Sequence, residues 1–195
     1  MGDIIRKFTI PTYSSGTVYS KYDVVKVTSS NKEYYFVSIH EGGNTNNINT
    51  GNLLSNSFWK RFDDINVDIN DIWTPSYTSS VNAEPRTNTS QLEDGTTLMG
   101  NDGINGKIIR FQLNFENIGD KEAFSLLCFA DFVGPKRAFN WTAPSPYEKR
   151  LKFNLAAIRH TFESKNRNNV SISIEAAFTI FGVGAGQQSF GTFES

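Results

Sequence analysis

One stretch decides the fold of this chain: Arg137-Ala138-Phe139-Asn140-Trp141-Thr142-Ala143-Pro144-Ser145-Pro146-Tyr147-Glu148-Lys149-Arg150. Phe139 and Trp141 project to the same side if the residues before the prolines are extended. Pro144 and Pro146 fix φ and have no backbone N–H, so the chain cannot continue here as a central strand. The stretch therefore predicts a strand with two aromatic side chains on one face, then a rigid corner and a new strand.

The sequence on both sides of this corner alternates as half-buried strands do. Apolar residues occupy every second position in residues 107–116, 151–155 and 170–180. Between the first two runs, residues 123–133 predict a short helix with Asp120 as N-cap and Gly134 as its stop. We expect this helix to pack against a mostly antiparallel sheet. The last run should be the central strand, because it has the longest apolar face.

The N-terminal part predicts a small β module. Val24, Val25 and Val27 form one β-prone run and residues 33–39 form another. Ser29-Ser30-Asn31-Lys32 between them has the composition of a turn, so a hairpin is expected. Residues 41–56 should be a loop, after which residues 58–62 add the bulky side chains that close a small core.

Residues 63–71 alternate strictly, with Ile65, Val67 and Ile69 on one side. The acidic spacing imitates a calcium-binding loop, but Ile69 occupies the position at which such a loop needs Gly. A half-buried strand leading out of the module is the preferred interpretation.

Composition limits the function. The 195 residues carry a net charge of −1 with a pI of about 6.1, which is no signature of nucleic-acid binding. One Cys and two His provide neither a disulfide framework nor a structural zinc set. No nucleophile, base and oxyanion donor converge in the pattern, so neither enzyme activity nor a cofactor is expected. The chain also has no signal peptide and no apolar run long enough to span a membrane, which predicts a soluble protein made in a cytoplasm.

We therefore divide the chain into residues 1–63, residues 64–183 and a Gly-rich arm, residues 184–195. Two interpretations of the arm stay open. It is either a disordered terminus or a segment whose Phe190 and Phe193 anchor on a neighbouring subunit.

Three motifs in the second domain occur in the order of a known family. They are Glu84-Pro85-Arg86 with Leu92-Glu93-Asp94-Gly95, then Asp102-Gly103-Ile104-Asn105, and last Phe139-Asn140-Trp141-Thr142 with Pro146-Tyr147-Glu148. With the short helix ahead of the last motif, residues 72–181 resemble the lambda-type minor tail protein M family of tailed bacteriophages.

This resemblance implies a mainly β (α+β) fold: a tail-tube-like antiparallel β-sandwich or barrel with one short helix, beside the small N-terminal β module. It implies a structural protein of the virion, located at the tail tip. Such a protein forms a homo-hexameric ring that joins the tail tube protein to the tail-tip hub protein, and DNA passes through its lumen without specific binding. The candidate subunit contacts are Phe139, Trp141, Tyr147, Phe190 and Phe193.

The N-terminal module resembles small chitin- and cellulose-binding modules and their phage-tail relatives. The residues that carry this resemblance are Tyr19-Ser20-Lys21-Tyr22-Asp23-Val24-Val25, Tyr34-Tyr35 and Phe58-Trp59. It implies sugar stacking on Tyr22, Tyr35 and Trp59. The alternative function is therefore a carbohydrate-binding adsorption protein that binds a host surface glycan and is anchored to the tail tip or to a contractile-tail baseplate.

Overall fold

A computed structural model describes residues 9–49, 51–85, 87–91, 97–101, 107–145, 148 and 150–176. Within these residues the chain forms ten strands, one α-helix and one short 3₁₀ turn. In chain order they are β1 (Val24–Ser29), β2 (Lys32–Ser38), β3 (Trp59–Arg61), the 3₁₀ turn (Ile69–Asp71), β4 (Ser80–Pro85), β5 (Thr87–Gln91), β6 (Thr97–Asn101), β7 (Lys107–Ile118), α1 (Asp120–Val133), β8 (Ala138–Thr142), β9 (Arg150–Ser164) and β10 (Arg167–Ala176).

The main layer is a five-stranded sheet in the order β4-β7-β10-β9-β8, with every neighbouring pair antiparallel. A mainly β fold with a single α-helix is thus confirmed for the described residues. The predicted central position of the last run is also confirmed, because β10 lies between β7 and β9. The end of that run, residues 177–180, lies outside the described residues.

Alternation along the strands creates one buried face, which α1 covers. Phe111, Leu113 and Phe115 of β7 are buried there, in register with Ile174 and Ile172 of β10. The hydrophobic effect of removing this apolar area from water is the main force that holds the helix on the sheet.

The prediction for α1 was wrong at its N-terminal end and correct at its C-terminal end. The N-cap is Gly119, and Asp120 is the first helical residue. The Asp120 carboxylate instead accepts a hydrogen bond of 2.7 Å from Asn168 Nδ2 of β10, so it ties the helix to the sheet rather than capping it. Gly134 ends the helix as predicted, with φ +52° and its N–H donated to the Ala130 carbonyl at 2.9 Å.

The N-terminal module is a three-stranded sheet in the order β1-β2-β3. The predicted hairpin is confirmed, and its turn residues Ser30 and Asn31 have φ of 50° and 62°. Positive φ at both central residues matches the twist of the flanking strands. The module packs directly on α1, because the Phe62 ring lies 5.5 Å from the ring of Phe129 and 5.9 Å from that of Phe132. A domain boundary near residue 63 stays a prediction.

Two local predictions were wrong. Residues 63–71 form turns and the 3₁₀ turn instead of a strand, and Ile65 is 73% exposed. Asp64 Oδ1 accepts the Asn66 N–H at 2.9 Å, and Asp68 caps the 3₁₀ turn, so aspartate side chains satisfy the backbone locally. The strand predicted at residues 151–155 is also much longer than expected, since β9 runs from Arg150 to Ser164 and β10 begins at Arg167.

Candidate assembly surfaces

Strand β8 carries the two aromatic side chains of the predicted corner, and both point into the core. Trp141 is 2% exposed, and its ring centroid lies 4.9 Å from that of Phe111 and 5.4 Å from that of Phe153. Phe139 packs edge-on against Phe129 at 5.4 Å. Their placement on one side of the strand is confirmed. Contacts inside the chain account for both rings, and their contact with a neighbouring subunit stays a prediction.

The outer edge of β8 is covered by the segment that follows β3. Trp141 Nε1 donates to Asn70 Oδ1 at 3.0 Å, and Thr142 Oγ1 donates to Asp68 Oδ2 at 2.6 Å. The backbone of Asp68 also forms a parallel bridge with Asn140. An exposed strand edge is a template for pairing with another chain, so this segment removes one such template from the surface.

The face of the main sheet opposite α1 is polar. At its centre, Gln112 Nε2 donates to Ser171 Oγ at 3.0 Å, and the Ser171 hydroxyl donates to Asn114 Oδ1 at 2.7 Å. Arg110 and Glu175 form an ion pair of 3.3 Å near one end. This face, which we call the polar face, is a hydrogen-bonding surface on which one cation, Arg159, and one carboxylate, Glu116, lie beside these uncharged side chains.

Two edges of the main sheet are open within the described residues. β4 pairs with β7 alone, and β9 beyond Asn154 pairs with β10 alone. Phe162 stands in that open part of β9 and is 77% exposed, with its ring 4.3 Å from the ring of His160. An unpaired edge with an exposed aromatic side chain is suited to contact with another protein chain.

The three predicted sugar contacts do not form one exposed face. Trp59 is fully buried, its Nε1 donates to the Asn46 carbonyl at 2.8 Å, and its ring packs edge-on against Tyr19 at 5.2 Å. Tyr22 and Tyr35 belong to the other core cluster, beside α1. Stacking on a sugar needs an open aromatic face, and burial leaves Trp59 none.

Burial raises the pKa of three titratable side chains in the interior. Burial raises the pKa of the Cys128 thiol to about 12, so the thiol stays protonated and weakly nucleophilic at neutral pH. Burial also raises the pKa of Glu122 and of Tyr22, where α1 meets the module and Lys121 pairs with Asp23 at 2.8 Å. In the described ranges, no three His, Cys, Asp or Glu side chains are grouped to hold a metal ion. No described helix is long and apolar enough to span a bilayer.

Sequence reasoning missed two groups of residues that the structure brings together. Trp73 is fully buried and donates to Ser125 Oγ at 2.8 Å, a contact marked in the sequence only by one Ser on the apolar side of the helix. The contacts of Asp68 and Asn70 with β8 had no local signal, because their partners lie more than seventy positions away. The predicted contacts Tyr147, Phe190 and Phe193 lie outside the described residues.

Comparison with known proteins gave no match to a family model and no match to a curated protein. Similar chains occur in solved structures, among them the following two. The first is the tail of an empty gene transfer agent (GTA) particle with C6 symmetry, with 16% identity, a TM-score of 0.33, and coverage of 52% of this chain and 75% of that chain. The second is the virion of a native gene transfer agent particle, with 11% identity, a TM-score of 0.38, and coverage of 54% of this chain and 82% of that chain.

Proposed function

We propose that this chain is a structural protein of the phage tail tip, and that it forms a hexameric ring between the tail tube and the hub. The observation that carries the proposal is the two-faced sheet, covered by α1 on one side and polar on the other. The motif resemblance supports it independently, since Phe139 and Trp141 of the motif fill the core beneath that sheet.

The open edges of the sheet supply the ring contact. They belong to β4 and to the part of β9 beyond Asn154, which lie on different sides of the sheet. A contact that joins two different surfaces of identical subunits is head-to-tail, and it generates a closed ring when the rotation closes. The exposed Phe162 ring would be buried in that contact.

The polar face supplies the wall of the DNA channel. Its centre carries hydroxyl and amide side chains such as Ser171 and Gln112, and the chain as a whole carries a net charge of −1. A strongly basic wall would neutralise phosphates, release counterions and hold the DNA. A neutral or acidic wall lets the DNA pass. In this proposal the edges of the main sheet form the ring contact, and its polar face lines the channel.

The test is the mass and symmetry of the particle that the chain forms. Light scattering after size-exclusion chromatography and class averages of electron micrographs should show six-fold rings, and a map of the virion should place them between tube and hub. Phe162→Ala should raise the concentration needed for assembly at least tenfold. Leu54→Ala, which removes an apolar side chain that is 52% exposed on the N-terminal module, is the matched control and should assemble normally.

Two results would overturn the proposal. The first is a virion map in which this chain lies away from the tail channel. The second is a ring whose lumen is lined by concentrated positive charge. Strong binding to host polysaccharide on a glycan array would instead favour the adsorption function.

A further inference from the structure

A groove of about 300 Å³ opens beside the N-terminal half of β8, between the C-terminal end of α1 and the segment that follows β3. We call it the β8 groove. Its apolar lining combines aliphatic side chains with four aromatic rings, those of Phe62, Phe129, Phe132 and Phe139. An apolar cavity of ~150 Å³ accommodates one benzene molecule, so the β8 groove has room for roughly two aromatic rings.

The charged side chains that line the β8 groove are three cations, Arg61, Arg137 and Lys152, and three carboxylates, Asp63, Asp64 and Asp68. The Arg137 guanidinium lies 4.3 Å from the centroid of the Phe132 ring. Arg61 pairs with Asp63, whereas Arg137 and Lys152 form no ion pair with a carboxylate among the described residues. Each of the three carboxylates already has a partner: Asp63 pairs with Arg61, Asp64 accepts the Asn66 N–H, and Asp68 accepts from Thr142 and lies 3.9 Å from Arg150. Arg137 and Lys152 are therefore the charges left to attract a ligand, and together with the aromatic lining they suit an aromatic segment that carries a negative charge.

The chain itself leads to this groove. Strand β10 is described to Ala176, which pairs with Phe153, and Phe153 in turn pairs with Phe139 in the groove wall. Two strand spacings of ~4.8 Å place the end of β10 about 10 Å from that wall. Residues 177–189 can extend ~45 Å at ~3.4 Å per residue, so Phe190 can reach the groove of its own chain.

The residues that follow have the required chemistry. Phe190 and Phe193 are two aromatic rings, and Glu194 is the only charged residue in the sequence from 177 to 195. Because residues 177–189 join such a segment to β10, its effective concentration near its own groove is of order millimolar. A second copy in a micromolar solution cannot compete with this.

We propose that residues 189–194 occupy the β8 groove of their own chain in the isolated subunit. Phe190 and Phe193 fill the apolar part, and Glu194 lies at the rim beside Arg137 and Lys152. The inference concerns the unassembled chain and does not depend on the proposed ring.

Disulfide trapping tests this inference with a control that the sheet itself provides. Ala138 and Asn82 lie in one row of the sheet, each two strands from Glu175 but on opposite sides of it. One variant carries Ala138→Cys with Thr192→Cys, and the control carries Asn82→Cys with Thr192→Cys. Cys128 can stay in both, because it is buried and its pKa is raised to about 12.

Both variants are oxidised with glutathione disulfide at low protein concentration, and the products are separated by non-reducing electrophoresis and identified by mass. The Ala138 variant should close a disulfide within one chain at least tenfold faster than the Asn82 variant. Adding Phe190→Ser and Phe193→Ser should remove this difference. A synthetic peptide of residues 187–195 should slow the closure.

Equal rates of disulfide closure in the two variants would overturn the inference, because they would show that the arm has no preferred binding site on its own chain. Dimers linked between chains, in place of closed monomers, would overturn it too, since a second copy would then be the occupant. Both outcomes are read on the unassembled chain, so they leave the ring proposal to its own test.

Discussion

The substitution Phe153→Ala measures how much the buried face of the sheet contributes to stability. Phe153 is fully buried in β9, with ring centroids 5.6 Å from Phe111 and 5.4 Å from Trp141. Truncating a buried Phe to Ala costs roughly 3–5 kcal/mol, and edge-on aromatic pairs add about 0.5–1.5 kcal/mol each. We therefore expect a loss in the upper half of that range, about 4–5 kcal/mol. The total free energy of unfolding of a typical domain is only ~5–15 kcal/mol.

Urea unfolding followed by tryptophan fluorescence is the assay, since the chain has three Trp residues. The urea concentration at the midpoint of unfolding should fall, while the slope of the free energy of unfolding against urea concentration stays unchanged. Phe162→Ala is the matched control, because it makes the same change in the same strand at a side chain that is 77% exposed. It should change stability by less than about 0.5 kcal/mol. Equal losses in the two variants would refute the assignment of the buried face.

Three further predictions concern single local features. Asp68→Ala should lower the free energy of unfolding by roughly 2–3 kcal/mol in urea, because it removes the acceptor of Thr142 and the cap of the 3₁₀ turn; an unchanged midpoint would contradict this role. Asn31→Val should cost about 1–2 kcal/mol and Asn31→Gly should be tolerated, since φ is 62° there; equal thermal midpoints would argue against the turn. Burial raises the pKa of Glu122 above 4.5, so the folded state binds its proton more tightly and stability falls as pH rises through that raised pKa. Glu122→Gln should remove this fall and raise the thermal midpoint at neutral pH, and a variant that melts earlier there would refute it.

Alternation alone was sufficient to predict β7 and β10. The alternating apolar residues there, such as Phe111 and Ile172, are buried in the core on one face of the sheet, so the local pattern and the global fold agree. The turn at Ser30 and Asn31 was also predictable from local sequence, because both residue types are common in turns.

The same pattern failed where local hydrogen bonds competed with it. Ile65, Val67 and Ile69 alternate as a strand would, but Asp64 and Asp68 bond the backbone nearby and turn the chain instead. The second half of β9 was missed for the opposite reason. A register shift of β9 against β10 breaks the period of two after Leu155, so no local pattern marks the strand that follows.

The cover over β8 has a consequence for the order of folding. It depends on hydrogen bonds between residues 71 to 75 positions apart, including those from Trp141 to Asn70 and from Asn140 to the Ile65 carbonyl. Contacts of such long sequence separation require a large loop to close and form late. Until they form, the edge of β8 is bare in the partly folded chain and can pair with any other chain nearby. Refolding yield should therefore fall steeply with protein concentration, although the finished protein has that edge hidden.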